Sequence, residues 1–319
     1  MYRIWFERPL PAQYAPMLDG IAVAVEHDPA DVELAGLVGA EGIIASARTR
    51  YDGALLDRVP TLRVIARTGI GVDNVSIPEA TARGIAVCNT PEGPTISTAE
   101  LAITLMLSVA RQIKIAERDL RRGGQQDFFS AYTGMELHGR TLGLIGLGRI
   151  GGHVAKIALA FGMRVLAYDP YLPPERAAEL GIEQSASLAA VLGAADIVSL
   201  HAPHTPETDQ LINRERLAMM KPGAILINAA RGGLVNETDL LAALESGHLS
   251  GAGLDVFAAE PPPPDHPLLG RDDVVATPHI AGATLAGKDR LWRMAIAQAL
   301  QVLQGERPPH LLNPEVWTG

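Results

Sequence analysis

The chain has 319 residues, 47% of them apolar, a formal net charge of -9 and a single cysteine. That length suits two ordinary domains, each with its own core. The acidic balance argues against a nucleic-acid or anionic-membrane surface, and Cys88 alone excludes an internal disulfide framework.

The N-terminus, Met1-Tyr-Arg-Ile-Trp-Phe-Glu-Arg-Pro, lacks the long apolar core of a signal peptide, and no apolar run is expected to reach membrane-spanning length. A cytoplasmic location and small soluble partners are expected. Short β-rich runs follow at Ile21 to Val25, Gly42 to Ala45, Leu62 to Ile65 and Ile85 to Val87. They alternate with helix-compatible stretches such as Asp52 to Arg58 and Pro78 to Arg83, the pattern of a parallel α/β layer. A long helix is predicted to begin near Ser97, where Ser97-Thr-Ala-Glu100 has the form of a capping box, and to connect the two domains.

About one domain's length into the chain stands Thr141-Leu-Gly-Leu-Ile-Gly146-Leu-Gly148-Arg-Ile-Gly151, an apolar run, a glycine turn and a helix starting near Ile150. Gly146 permits the tight turn, Gly148 lets backbone approach a phosphate, and Gly151 lets the helix lie close to its strand. The run Arg164 to Tyr168 then closes on Asp169, 18 residues past Gly151, where a carboxylate can accept hydrogen bonds from both adenosine ribose hydroxyls. No Arg or Lys follows in Asp169-Pro-Tyr-Leu-Pro-Pro, so NAD is favoured over NADP.

Further strands are expected at Ile197 to Leu200, Ala224 to Asn228, Gly253 to Asp255 and Val274 to Ala276, completing a doubly wound sheet. The tail from about Thr284 to Leu303 is helical in character and is expected to return to the first domain. Ligands should meet in the cleft between the two α/β layers, at the carboxyl ends of the strands. Three polar residues lie just past predicted strands: Arg231, Glu260 and His279. An arginine can bind a carboxylate through two parallel hydrogen bonds, a histidine can move a proton near neutral pH, and a glutamate can hold the imidazole. Reducing a 2-keto acid by hydride transfer needs that set. Taken singly each has an ordinary reading: a solvated Glu260 before four prolines, an Arg231 satisfying a glycine turn, a His279 in a loop. His201 and His204 have metal-ligand spacing, but two residues in a proline-broken loop lack further ligands, and no metal is expected.

The chain strongly resembles the D-isomer-specific 2-hydroxyacid dehydrogenases, among them short forms of D-3-phosphoglycerate dehydrogenase and glyoxylate/hydroxypyruvate reductase. The matching stretches are Arg67-Thr-Gly-Ile-Gly-Val-Asp-Asn74, Asn89-Thr-Pro, Ile96-Ser-Thr-Ala-Glu100, the glycine turn with Asp169, His201-Ala-Pro-His-Thr-Pro-Glu-Thr208, Asn228-Ala-Ala-Arg231-Gly-Gly-Leu-Val-Asn-Glu237, Gly253-Leu-Asp-Val-Phe257 and Thr277-Pro-His-Ile280. The resemblance implies two doubly wound parallel-sheet domains, a Rossmann NAD-binding domain (99–285) inserted into a flavodoxin-like substrate domain (1–98 and 286–319).

By the same resemblance Arg231 orients the substrate, His279 is the acid/base and Glu260 its partner. Asp255 receives the nicotinamide carboxamide, and Thr98 packs near the nicotinamide. Gly146, Gly148, Arg149, Ile150, Gly151, Asp169, His201, Pro203, Thr208 and Ala229 join Arg231 and His279 along the cofactor. The amides of Ile70 and Gly71 would hold the substrate carboxylate. Glutamate at 260, where formate dehydrogenases carry glutamine, favours alcohol and carbonyl chemistry. Two departures concern the substrate: Thr90-Pro-Glu-Gly-Pro94 lacks the asparagine that phosphoglycerate-type sequences have after Pro-x-Gly, and Ser46 stands where many of them have arginine. Arg48 and Arg67 remain as partners for a phosphate or second carboxylate. The sequence stops where longer phosphoglycerate dehydrogenases continue into a regulatory domain, so serine feedback through one is not expected. Arg111, Lys114, Arg118, Arg121 and Arg122, followed by Phe128, Phe129 and Tyr132, resemble the arm that pairs two nucleotide domains, and a homodimer is expected. The expected activity interconverts a D-2-hydroxy acid and its 2-keto acid, with NAD-sensing corepressors that resemble these enzymes as the alternative of another class.

Overall fold

A computed structural model describes residues 1–26, 28, 34–124 and 127–317. The chain folds into two compact units, Met1–Pro94 with Gly282–Gly319, and Thr95–Ala281. Among the described residues each unit contains one all-parallel sheet.

In the first unit β1 (Tyr2–Phe6), β2 (Ala22–Glu26), β3 (Gly42–Ala45), β4 (Val64–Arg67) and β5 (Ala86–Cys88) lie in the order β2-β1-β3-β4-β5, the flavodoxin-like arrangement. Side chains alternate across it as the two-residue period of a strand requires. Ile4, Phe6, Ile44, Val64, Ala66 and Cys88 pack on one face against the helix Leu285–Leu303, whose N-cap is Thr284. Trp5, Ile43, Ala45, Ile65 and Val87 pack on the other, against Leu56 and Ala80 of the short helices Gly53–Leu56 and Ile77–Ala82. Burial on both faces explains why these strands read as continuous apolar runs. The sequence pattern missed β1, where Arg3 interrupts the run.

The second unit holds β6 (Thr141–Ile145), β7 (Arg164–Tyr168), β8 (Glu183–Gln184), β9 (Ile197–Leu200), β10 (Ala224–Asn228), β11 (Leu249–Leu254) and β12 (Val274–Ala276), ordered β12-β11-β10-β9-β6-β7-β8. The strand order reverses at β6, which is flanked by β7 and β9, so the crevice for a ligand opens beyond the carboxyl end of β6, where Gly146 stands.

The helix Glu92–Ala110 corrects two expectations. It starts five residues before Ser97, so Ser97-Thr-Ala-Glu100 lies inside the helix and does not begin it; Pro94 is tolerated because the first turn needs no amide hydrogens. The helix is also long and apolar enough by length and composition to cross a bilayer, against the expectation that no apolar run reaches that length. Two thirds of it is buried in the protein, with Ala99, Ala102, Leu105 and Met106 in the core of the second unit, as a core helix.

Candidate active site

The glycine turn is built by close approach. Gly146 has φ 93°, a backbone conformation that side chains resist, and a Cβ there would sit 2.8 Å from the His201 carbonyl. A Cβ on Gly151 would strike the Gly146 carbonyl oxygen, so the helix Arg149–Ala160 can lie against its strand only with glycine at that position. Gly148 differs: a Cβ there would meet nothing within 4 Å. It is the N-cap of the helix and brings no capping side chain. The space left at Gly148 lies at the positive end of the helix, the arrangement that holds a pyrophosphate. Asp169, at the end of β7, accepts from Leu147 N and Tyr171 N, both at 2.9 Å, which fixes its carboxylate beside the turn.

The chemistry gathers at the carboxyl ends of β10, β11 and β12. His279, held at φ 54°, places Nδ1 2.6 Å from Glu260 Oε2. The other Glu260 oxygen accepts from Phe257 N at 3.2 Å. Burial pushes the Glu260 carboxyl up, but the His279 hydrogen bond and charge, the Phe257 amide and the Arg231 charge together leave it below the ordinary carboxylate value. Arg231 follows β10, donates Nη1 to the Ala230 carbonyl at 2.7 Å, and accepts at its own carbonyl from Asn228 Nδ2. A Cβ on Gly232 would collide with the Phe257 carbonyl, so glycine there lets the Arg231 loop pack against the segment leading to Glu260.

Asp255 is fully buried. It accepts from Thr277 Oγ1 at 2.6 Å and from the amides of Ile280 and Ala281 at 2.8 and 2.9 Å, while its carbonyl accepts from His279 N at 2.8 Å. Burial raises its pKa against these three bonds. Asp255 thus shapes the loop carrying His279, a task that the strand pattern alone did not indicate, with Thr277 as its partner.

The remaining sites are placed as follows. Thr98 is buried in the helix Glu92–Ala110, and Ala229 is buried beside the end of β10. Arg149 and Ile150 open the helix after Gly148. His201 Nε2 lies 2.9 Å from Ser199 Oγ, and burial pushes its imidazole down to about 4. Thr208 Oγ1 donates to the Pro203 carbonyl at 2.7 Å and accepts from Thr205 N, so this hydroxyl braces the loop. In the first unit the carbonyl of Ile70, beside Gly71, accepts from Asn89 Nδ2 at 2.7 Å. Arg67 spends Nη1 on the Thr68 carbonyl and Nε on Asn74 Oδ1, bracing the same loop, whereas Arg48 is exposed. Sequence reasoning gave no role to Glu7, a buried carboxylate at the end of β1 that accepts from the amides of Ser46 and Thr49 and so orders the Arg48 loop.

Comparison with known proteins decides the family. Residues 103–281 match the D-isomer specific 2-hydroxyacid dehydrogenase, NAD binding domain. The chain belongs to this family. It is 43% identical over 304 residues to the D-3-phosphoglycerate dehydrogenase of Mycobacterium tuberculosis, covering 95% of this chain and 57% of that protein. The chain thus spans little more than half the length of such curated relatives. The glyoxylate reductase of Thermofilum pendens is 38% identical over 322 residues, covering 98% of this chain and 95% of that one. Among solved structures, the D-lactate dehydrogenase of Aquifex aeolicus complexed with NAD and lactic acid superposes with TM-score 0.86 at 30% identity, covering 98% of this chain and 99% of that one.

Proposed function

We propose that the chain is an NAD-dependent dehydrogenase that interconverts a small D-2-hydroxy acid and its 2-keto acid. The observation that carries the reading is the His279–Glu260 pair, within reach of the Arg231 charge, in the unit whose glycine turn leaves open space at a helix N-terminus.

Gly146, Gly148 and Gly151 with the first turn of Arg149–Ala160 hold the pyrophosphate, and Asp169 receives the adenosine ribose. The cofactor, when bound, supplies or takes up the hydride. Arg231 binds the substrate carboxylate and polarises the neighbouring carbonyl. His279 Nε2 gives a proton to the oxygen of the carbonyl being reduced and takes it back in the oxidative direction. Glu260, an anion through the neutral range, fixes the imidazole and stabilises its charged form. Ile70 and Gly71 offer backbone amides to the acidic substrate, with Arg48 as the cation for a distal group.

The substrate reading is phosphoglycerate-like by similarity to the mycobacterial relative, with glyoxylate and hydroxypyruvate as the alternative supported by the Thermofilum relative and by Ser46 in place of arginine. NADH oxidation with glyoxylate, hydroxypyruvate, phosphohydroxypyruvate and bulky keto acids separates them. In the same assay His279→Ala should lose about 10²–10⁴-fold in turnover while still binding NADH; retained turnover would remove the acid/base. Pairing of two second units is part of the reading, supported by Leu120 of the helix Ile113–Arg121 and by Phe129, which are 74% and 85% exposed. Sedimentation should give a dimer's mass, and a monomer's would exclude it.

A further inference from the structure

A second carboxylate–imidazole pair stands behind the first. Glu237 opens the helix Glu237–Glu245, six residues after Arg231, with Asn236 as the N-cap. Its Oε1 accepts from Ala258 N at 2.8 Å, and its Oε2 lies 3.2 Å from His266 Nε2. Both side chains are largely buried, 21% and 16% exposed. The His266 ring meets Phe257 edge-on at 5.5 Å. Nδ1 of His266 is buried without a hydrogen-bond partner, a cost that the ring accepts in this setting.

Two adjacent amides are therefore held by two different acids: Phe257 N by Glu260, Ala258 N by Glu237. Glu260 turns back on its own loop, so its hydrogen bond alone does not fix where the loop stands. Glu237 does fix it, because it belongs to the helix that begins at the end of the Arg231 segment. Gly232, with no room for a Cβ beneath the Phe257 carbonyl, sets the spacing of the same two segments.

We infer that Glu237, oriented by His266, is a positioning residue for the reaction: it ties the Phe257–Glu260 loop to the Arg231 segment and so sets Glu260 against His279. This rests on the proposed roles of Glu260 and His279. A displacement of a few tenths of an ångström at Glu260 misdirects the imidazole, and catalysis is sensitive to errors of that size. The binding of cofactor at the glycine turn does not pass through these groups.

The test is steady-state kinetics with a 2-keto acid and NADH, with turnover counted per NADH-binding site. Glu237→Ala is expected to lower kcat at least tenfold with the NADH dissociation constant within twofold of the parent. Glu237→Gln should recover most of kcat, since its carbonyl still accepts from Ala258 N and its amide can donate to the other tautomer of His266. An unchanged kcat in Glu237→Ala, a parallel loss of NADH affinity, or a Gln variant as impaired as the Ala variant would each overturn the inference. His279→Ala is run alongside: if it retains turnover the parent reading fails, and if it is dead while Glu237→Ala is normal only the positioning role fails.

Discussion

Nδ1 of His279 and Oε2 of Glu260 are 2.6 Å apart, so one ring nitrogen is committed to the carboxylate and Nε2 is the nitrogen that the proposed reaction uses. The Glu260 carboxyl is held below its ordinary value, and a depressed carboxylate keeps its charge as pH falls until its own lowered pKa is passed. Its contribution is fully present above the ordinary value of about 4.3 and is lost only below that. Glu260→Gln should therefore lower kcat on the order of tenfold at neutral pH, part of what acid–base catalysis supplies, because the imidazole loses the anion that favours its charged form. An unchanged kcat at neutral pH would show that the carboxylate is not the charged partner.

The glycines of the nucleotide turn should separate folding from binding. Gly146→Ala combines a positive φ with a clash on the His201 backbone, so a loss of a few kcal/mol in stability is expected, seen as a lower urea midpoint. Gly148→Ala adds a methyl to open space and should leave the urea midpoint unchanged. Its NADH affinity should fall at least tenfold, because the methyl occupies the approach to the phosphate. A Gly148→Ala protein that binds NADH normally in titration calorimetry would place the pyrophosphate elsewhere.

The strand ends were legible because both sheets are buried on both faces: the apolar run of the strand Ala224–Asn228 stops at its asparagine, and Arg231 follows three residues later. The meeting of Glu260 with His279 followed from adjacent parallel strands, since β11 and β12 pair in register and their carboxyl ends emerge side by side. Glu237, His266 and Glu7 were not legible for one physical reason. Their partners are backbone amides or a residue brought back by a loop, and no side-chain pattern records which N–H a carboxylate will take. Ser97-Thr-Ala-Glu100 misled in the opposite sense: a capping sequence does not start a helix when Glu92 and Pro94 upstream already provide a first turn.

Cofactor choice should turn on Asp169. Its charge lies beside Leu147 N at the glycine turn, where a 2'-phosphate would be repelled. Asp169→Asn keeps an acceptor for the backbone while removing the charge, so the kcat/KM preference for NADH over NADPH should shrink by at least about tenfold, or 1.4 kcal/mol. If the preference is unchanged in paired assays with the two cofactors, discrimination resides in another residue.

Acid should weaken the second unit through His201. Its Nδ1 is buried without a partner, and burial pushes the imidazole from the ordinary 6.5 down to about 4. Between those values the unfolded chain binds a proton that the folded one refuses, so stability falls as pH drops from 6.5 towards 4 and is constant with respect to this group above 6.5. The loss is at most about 3.5 kcal/mol, because a proton refused over this range costs about 1.4 kcal/mol per pH step, and it is reduced because the residue as a whole is only part-buried. His201→Gln removes the titration and can keep the hydrogen bond to Ser199, so its urea midpoint should decline less between about pH 6.5 and 5 than that of the parent. Parallel declines in the two proteins would mean that the imidazole is solvated enough to protonate in the folded state. His201 would then not be the source of acid lability.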